Sequence, residues 1–252
     1  MISNITLHNY LNDLFDITQY KDYCPNGCQL EGKTEINKII TGVTACQALL
    51  DRAVEKNADA IIVHHGYFWK SENPTITGMK YQRIKTLINN EINLFAYHLP
   101  LDGHHELGNN VQLGQLLDIK IDPQNFINNK SDLLFFGELS EALSPEKFKQ
   151  QIHQKLSREP LLIQTSDKTI KKVVWCTGAA QTMIEQARDM NVDAFISGEI
   201  SEQTVHQARE LGIHYYSAGH HATEKLGVMA LADHLDKQLS VHCEFIDIDN
   251  PV

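Results

Sequence analysis

The sequence predicts an α/β protein made of two similar, duplicated lobes, and three observations carry that reading. Short apolar runs rich in β-branched residues alternate with longer segments of helical periodicity, the order that builds a mostly parallel sheet with helices on its faces. The residues from Ile36 to Gly66 match those from Ile170 to Ile200 without a gap. The match pairs Ile36 with Ile170, Lys38 with Lys172, Ala45 with Ala179, Gln47 with Gln181, Ala53 with Ala187, Asn57 with Asn191, Asp59 with Asp193, Ala60 with Ala194 and Ile62 with Ile196. Both copies run strand, helix, strand, so duplication explains the identities better than coincidence. Finally, Ile61-Ile62-Val63 reads as a buried parallel strand that stops at His64-His65-Gly66, and α/β proteins place ligands at the carboxyl ends of strands.

The elements follow in order. Leu7, Tyr10, Leu11, Leu14 and Phe15 recur at helical spacing and predict an amphipathic helix ahead of the Pro25-Asn26-Gly27 turn. Ile39 to Val43 is the next strand. Gln47 to Lys56, with Leu49, Leu50 and Ala53 on one face, is the crossover helix to the His-His strand. Tyr81 to Asn90 presents Tyr81, Ile84, Leu87 and Ile88 as a further helix, and Asn93 to Tyr97 is the third strand. From Asp118 the composition turns polar through Asp122, Pro123, Asn125, Asn128 and Asn129, as expected of a connection between lobes. The expected boundaries are residues 1–125 for the first lobe, completed by 225–252, and 126–224 for the second. Ser144-Pro145-Glu146 starts a helix, with Ser as cap, Pro in the first turn and Phe148, Ile152 and Leu156 as its stripe. Strands at Leu161–Gln164, Val173–Cys176, Asp193–Ser197, Ile213–Ala218 and Val241–Ile248 complete the pattern, with helices near Gln181–Met190, at Glu202–Leu211 and near Glu224–Leu235.

The formal charge of −10, with no Lys/Arg block, argues against non-specific nucleic-acid binding, which needs a basic surface to displace counterions. A small or metal-bridged anionic substrate is compatible with it. No apolar run reaches the ~18 residues of a membrane span and no signal-peptide pattern opens the chain, so the expected location is the cytoplasm. The five cysteines Cys24, Cys28, Cys46, Cys176 and Cys243 are odd in number and dispersed, which suits reduced thiols. Cys24 and Cys28 have metal-like spacing but lack a second close pair.

Two further stretches bear on the His64-His65 strand end. His98-Leu99-Pro100-Leu101-Asp102 follows the third strand of the first copy, and His220-His221-Ala222-Thr223-Glu224 the third strand of the second. Each places a histidine four residues before a carboxylate. On a helical turn such a pair can chelate one ion, although Pro100 favours a loop for the first. In the second copy Gly198 and Glu199 replace the His64-His65 pair, so only one lobe keeps the double histidine. Taken alone, that pair reads equally well as one satisfied core histidine beside one exposed histidine; the repeat favours metal.

Imidazole and carboxylate donors together suit Zn²⁺, Fe²⁺, Mn²⁺ or Ni²⁺. His64, His65, Asp102, His220 and Glu224 exceed what one tetrahedral ion needs and predict two divalent metal ions about 3.5–4 Å apart, bridged by Asp102 or Glu224. His98 either ligates directly or orients Asp102 from behind. His221 is a neighbour of the site, His104 and His105 are expected to face solvent, and His153, His206, His214, His234 and His242 are left as structural. Tyr67-Phe68-Trp69 with Lys70 either cover the site or form a subunit contact; alternatively they stack a heteroaromatic ring, with Lys70 meeting phosphate. Glu199 is a candidate general base beside His98 as proton shuttle. No phosphate-binding glycine loop is present, so a nucleotide would be held by metal and scattered side chains.

At these residues the chain resembles a known family. Pro25-Asn26-Gly27, Thr41-Gly42-Val43-Thr44, Val63-His64-His65-Gly66-Tyr67-Phe68-Trp69-Lys70, His98-Leu99-Pro100-Leu101-Asp102, Gly108-Asn109-Asn110, Ser197-Gly198-Glu199 and Gly219-His220-His221-Ala222-Thr223-Glu224 are similar to the bacterial YbgI branch of the Nif-three-like proteins, called GTP cyclohydrolase type 2 homologues. The resemblance implies two intertwined three-layer α/β/α lobes, a dinuclear metal site and a toroidal homohexamer with its sites facing inward. Carried over by motif, the ligands are His64, His65, Asp102, His220 and Glu224, all intact here. Cys28 departs from the aliphatic residue usual after the Asn-Gly turn.

The function so predicted is a metal-dependent hydrolase that opens a purine nucleotide ring, because attack at C8 needs hydroxide at neutral pH and a stabilised tetrahedral intermediate. Phosphoester or amide hydrolysis at the same ions is a second reading. A non-catalytic hexameric scaffold or metal-handling protein is a third, from a different class.

Overall fold

The computed structural model describes residues 1–126 and 133–252; of the expected connection, Asn128 and Asn129 lie outside the described residues. It is an α/β protein whose chain divides into two compact units. One comprises Met1–Leu101 with Gly227–Asp249 and the other Asp102–Leu226 with Asn250–Val252. Among the described residues no helix is long and apolar enough to cross a membrane.

The first unit is built on a five-stranded sheet in the order His242–Phe245, Lys38–Thr44, Ala60–His65, Asn93–Ala96, Gly27–Leu30. Its central strands are parallel and the Gly27–Leu30 edge is antiparallel. Ile40, Ile61, Val63, Leu94 and Ala96 face Leu49, Leu50 and Ala53 of the Gln47–Glu55 helix and Ile84 and Leu87 of the Gly78–Asn89 helix. On the other face the Phe15 ring of the Asn4–Phe15 helix packs 4.8 Å from Tyr97, and the Thr41 hydroxyl donates to the Val228 carbonyl of the His220–Gln238 helix. Burial on both faces explains why these strands read as continuous apolar runs rather than alternating ones.

The second unit carries a six-stranded sheet, ordered Ile119–Ile121, Phe135–Leu143, Ile170–Cys176, Ala194–Ser197, His214–Ser217, Leu161–Ile163. Val173, Trp175, Ile196 and Tyr216 point to one face, against Leu113 of the Asn109–Leu116 helix and Phe148, Ile152 and Leu156 of the Pro145–Leu156 helix. Val174, Cys176, Phe195 and Tyr215 point to the other, against Ile184, Ala187 and Ala208. The result is a three-layer α/β/α unit.

Equivalent hydrogen bonds express the repeat. Asp59 Oδ2 accepts from the backbone N–H groups of Asn37 and Lys38, at 2.9 and 3.0 Å. Asp193 Oδ2 accepts from Lys171 and Lys172, the matching residues of the second copy, at 2.9 and 2.8 Å. In each copy the aspartate clamps the start of one strand to the start of the next. Asn57 and Asn191, two residues earlier, both take the left-handed conformation that ends the preceding helix (φ 54° and 53°).

Elements with weak periodicity lie outside the expected pattern. The Asn109–Leu116 helix has few apolar residues, and its Gly114 is required by packing, since a Cβ there would lie 2.5 Å from Cζ2 of Trp175. Ile119–Ile121, where a plain connection was expected, pairs antiparallel with Phe135–Leu143, a strand for which the sequence carries no assignment and which also pairs antiparallel with Ile170–Cys176. The last long helix starts at His220, four residues ahead of the expected Glu224.

Candidate metal centre

The first unit gathers three imidazoles at one end of its sheet. His64 and His65 close the Ala60–His65 strand, which pairs with Lys38–Thr44 on one side and Asn93–Ala96 on the other. Their ring centroids are 4.5 Å apart, and the His98 ring, just past the Asn93–Ala96 strand, lies 5.0 Å from His64 and 5.8 Å from His65. A ring nitrogen of each lies within 4.8 Å of the others. Gly66 lets the chain leave the strand here, because a Cβ would lie 2.3 Å from Oε1 of Gln29.

The surroundings fix which nitrogen each histidine offers. His64 is fully buried, with Nδ1 3.0 Å from the Tyr97 carbonyl. A carbonyl can only accept, so Nδ1 holds the proton and Nε2 the lone pair. His98 Nδ1 lies 2.7 Å from Oδ1 of Asp22. Burial would raise the Asp22 pKa, but hydrogen bonds from His98, Asn26 and Leu99 and the His98 charge outweigh it and lower it to about 2. His65 Nδ1 is 3.2 Å from the Thr44 hydroxyl.

In the second unit the carboxylates are buried. Asp102, in the short Leu99–Gly103 helix, is 5 % exposed and Glu224 3 %. Oδ1 of Asp102 accepts from Asn109 Nδ2 at 2.9 Å and from the Thr177 hydroxyl at 3.2 Å. Asn110 braces that arrangement: its Oδ1 accepts from the Thr177 backbone and its carbonyl from Trp175 Nε1. A carboxylate oxygen of Asp102 and one of Glu224 lie within 4.8 Å of each other. Two buried acids so close repel each other unless positive charge compensates them. His220 supplies part of it, with Nε2 3.0 Å from Glu224 Oε2 and Nδ1 2.7 Å from Glu199 Oε1. Burial alone would depress the His220 pKa, yet Glu224 and Glu199 together raise it to about 9. Gly178, at φ +67°, leaves room for this cluster: a Cβ would lie 2.0 Å from Glu224 Oε1.

His64, His98 and His220 thus each engage an acceptor through Nδ1, the arrangement typical of histidines that ligate metal, and His220 Nε2 faces Glu224. Nitrogen and oxygen donors of this kind fit a borderline divalent cation.

Several expectations are refined. Glu199 hydrogen-bonds to His220, so its carboxylate orients that ring. His104, expected in solvent, is 9 % exposed, and its Nδ1 accepts from the backbone N–H groups of Glu106 and Leu107. A polar loop was the wrong cue, because the ring closes the turn from inside. The two His-x₃-acid stretches are also offset. Asn93 pairs with Ala60 as His214 pairs with Ala194, and Tyr97 N bonds Val63 O as Ala218 N bonds Ser197 O. By that register His98 follows the strand directly, whereas His220 comes one residue later, after Gly219 at φ +101°. Of the aromatic run, Tyr67 is buried with its hydroxyl on the Ala45 carbonyl, Phe68 lies under Lys80, and Trp69 stands edge-on to His98 at 4.9 Å. None of the five cysteines is joined in a disulfide, and burial with the nearby Asp22 charge pushes Cys24 up to about 12. Asp22 and Thr177 carry no spacing signal in the sequence, whereas Asn109 sits in the Gly108-Asn109-Asn110 motif.

A family model described as Duf34/NIF3 (NGG1p interacting factor 3) matches residues 3–251. A Pseudomonas aeruginosa protein named GTP cyclohydrolase 1 type 2 homolog is 50 % identical over 246 residues, covering 98 % of this chain and 97 % of its own. A Vibrio cholerae protein of the same name is 51 % identical over 253 residues and covers both chains completely. A solved structure described as "Structural genomics, protein ybgI, unknown function" superposes with a TM-score of 0.94 at 48 % identity, covering 100 % of both chains.

Proposed function

Because the chain belongs to the Duf34/NIF3 family, we propose that it is a metal-dependent hydrolase whose ligands are His64, His65, Asp102, His220 and Glu224, holding two divalent ions and opening the ring of a purine nucleotide. The observation that carries the reading is the buried acid pair Asp102 and Glu224, beside which His220 has its Nδ1 already committed to Glu199. Such acids favour a cation over a vacant site. The names of the relatives point the substrate towards GTP.

Divalent ions held there would make hydroxide available at neutral pH and offset the negative charge that develops on the purine ring nitrogen as C8 is attacked. The chain's own residues do the rest. Thr177 and Asn109 fix Asp102 through Oδ1, and Glu199 fixes the His220 ring. His98, with Nδ1 held by Asp22, would take a proton from the attacking water through Nε2 and return it to the departing ring nitrogen. Trp69, half-buried beside His98 and His65, offers an aromatic face to a purine. On the family resemblance the assembly proposed is a homohexamer, to be checked by sedimentation.

The test is metal analysis of the purified protein followed by incubation with GTP. About two ions per chain and formate release are expected, one water opening the ring to a formamide and a second cleaving that formamide. If the wild type releases no more formate than a variant carrying His65→Ala and Glu224→Ala, ring opening followed by deformylation is excluded.

A further inference from the structure

His98 is held at more than its Nδ1 atom. Most of that hold comes from the Asp22–Asn26 loop, outside the repeat and outside the five proposed ligands. Asp22, with a side chain 3 % exposed, accepts at Oδ1 from His98 Nδ1 at 2.7 Å and from its neighbour Tyr23 N at 2.6 Å. At Oδ2 it accepts from Leu99 N and Asn26 Nδ2, both at 2.9 Å. Asn26 returns the grip: its Oδ1 accepts from the His98 backbone N–H at 2.7 Å. Lys70 N bonds the Tyr23 carbonyl, tying the loop to the segment that carries Trp69, whose ring closes on His98 from the side. One residue is thus held at its backbone, at Nδ1 and across its ring edge.

We infer that Asp22 is the positioning residue of the site: it fixes His98 as the Nδ1–H tautomer and so aims the Nε2 lone pair at His64 and His65. The geometry excludes the opposite tautomer, because an unprotonated Nδ1 would set a lone pair against a carboxylate at 2.7 Å. The three further donors on Asp22 agree, since a carboxylate so surrounded accepts and does not donate. A buried carboxylate that gathers four donors is costly to desolvate, and here the arrangement serves to orient the imidazole. The same device occurs in the second unit, where Glu199 accepts from His220 Nδ1, also at 2.7 Å. Glu199 descends from the position of His65 in the repeat, whereas Asp22 comes from the amino-terminal segment, so each unit reaches the carboxylate–imidazole pair by a different route.

The role of His98 in hydrolysis rests on the proposed function, whereas its tautomer does not, and the two are measured separately. Protein labelled with ¹⁵N-histidine and treated with chelator is compared by two-bond ¹⁵N–¹H correlation at mildly alkaline pH with His98→Gln, which identifies the His98 signals. The expected result is a protonated Nδ1 and a bare Nε2 in the wild type, lost or mixed in Asp22→Asn and regained in Asp22→Glu. A wild-type His98 protonated at Nε2, or a tautomer unchanged by Asp22→Asn, overturns the inference. If Asp22→Asn does not fold, the wild-type spectrum alone decides. In the assay that reads formate, Asp22→Asn lowers the rate by about 10- to 100-fold. Absence of formate from every form, with the tautomer as expected, would remove the hydrolase reading and leave the positioning role intact.

Discussion

Glu199 Oε1 lies 2.7 Å from Nδ1 of His220, at the repeat position where the first copy has His65. A duplicated position thus supplies an imidazole in one unit and the support for an imidazole in the other. Replacing Glu199 by Gln keeps an acceptor but removes the charge, and replacing it by Ala removes both. Divalent-ion affinity, read by competition with a chromophoric chelator, is expected to fall about tenfold for Gln and towards about 100-fold for Ala.

Gly178 offers a test that adds atoms instead of removing them. Alanine at φ +67° costs roughly 1–2 kcal/mol in backbone strain. Its methyl group would also displace Glu224 Oε1, from which a Cβ lies 2.0 Å away. Gly178→Ala is therefore expected to fold with a modestly lower melting temperature while its metal content drops disproportionately. Equal losses from Gly178→Ala and from an alanine at Gly212, which has the same backbone hand (φ +69°) and open space around it, would refute the steric argument.

Asn109 and Thr177 hold one oxygen of a carboxylate that is 5 % exposed. Asn109→Ala strips a donor from a buried charge and is expected to destabilise the chelated protein by about 1–3 kcal/mol in urea unfolding. Saturating divalent ion should restore much of that loss, because a cation compensates the same charge.

Acid stability turns on Asp59. Burial raises its pKa, but the Lys33 hydrogen bond and the Asn37 and Lys38 backbone N–H groups outweigh that and lower it. A group whose folded pKa is depressed stabilises the fold above its unfolded value, about 3.9, and loses that contribution as pH falls through the folded value. The wild type should therefore lose stability steeply below about pH 4, and Asp59→Asn should show a shallower acid limb from a lower plateau. A plateau lower by about 1.5–3 kcal/mol is expected, the worth of hydrogen bonds to a buried charge. Lys33, with its side chain 41 % exposed, should contribute little when replaced by Ala.

The parts legible in the sequence are those where pattern and burial coincide. The strands around Ile39–Val43, Ile61–Val63 and Val173–Cys176 are buried on both faces, so their apolar runs declare them. Ser144 is found as a helix cap, accepting from Lys147 N at 3.4 Å, because capping chemistry is local. The Asn109–Leu116 helix escaped because its inward face mixes Val111 and Leu113 with Asn109, Asn110 and Gly114, and the fit of Asn110 and Gly114 depends on Trp175 more than 50 residues away. Among the candidate site residues, the histidine pairs and their acids stand out by spacing. Asp22 does not, since it reaches His98 across 76 residues through a loop with no periodicity. Support of that kind becomes visible only when the chain is folded.

The edge-on contact between Trp69 and His98 has an optical consequence. The chain has two tryptophans, and Trp175 is sealed in the second unit's core, where its surroundings are constant. Trp69 is half-buried, with its ring 4.9 Å from His98 and 5.9 Å from His65. Any event that alters the charge or tilt of those imidazoles changes the emission of one indole against the steady background of the other. The protein carries its own fluorescent gauge of the histidine cluster, readable without label or assay.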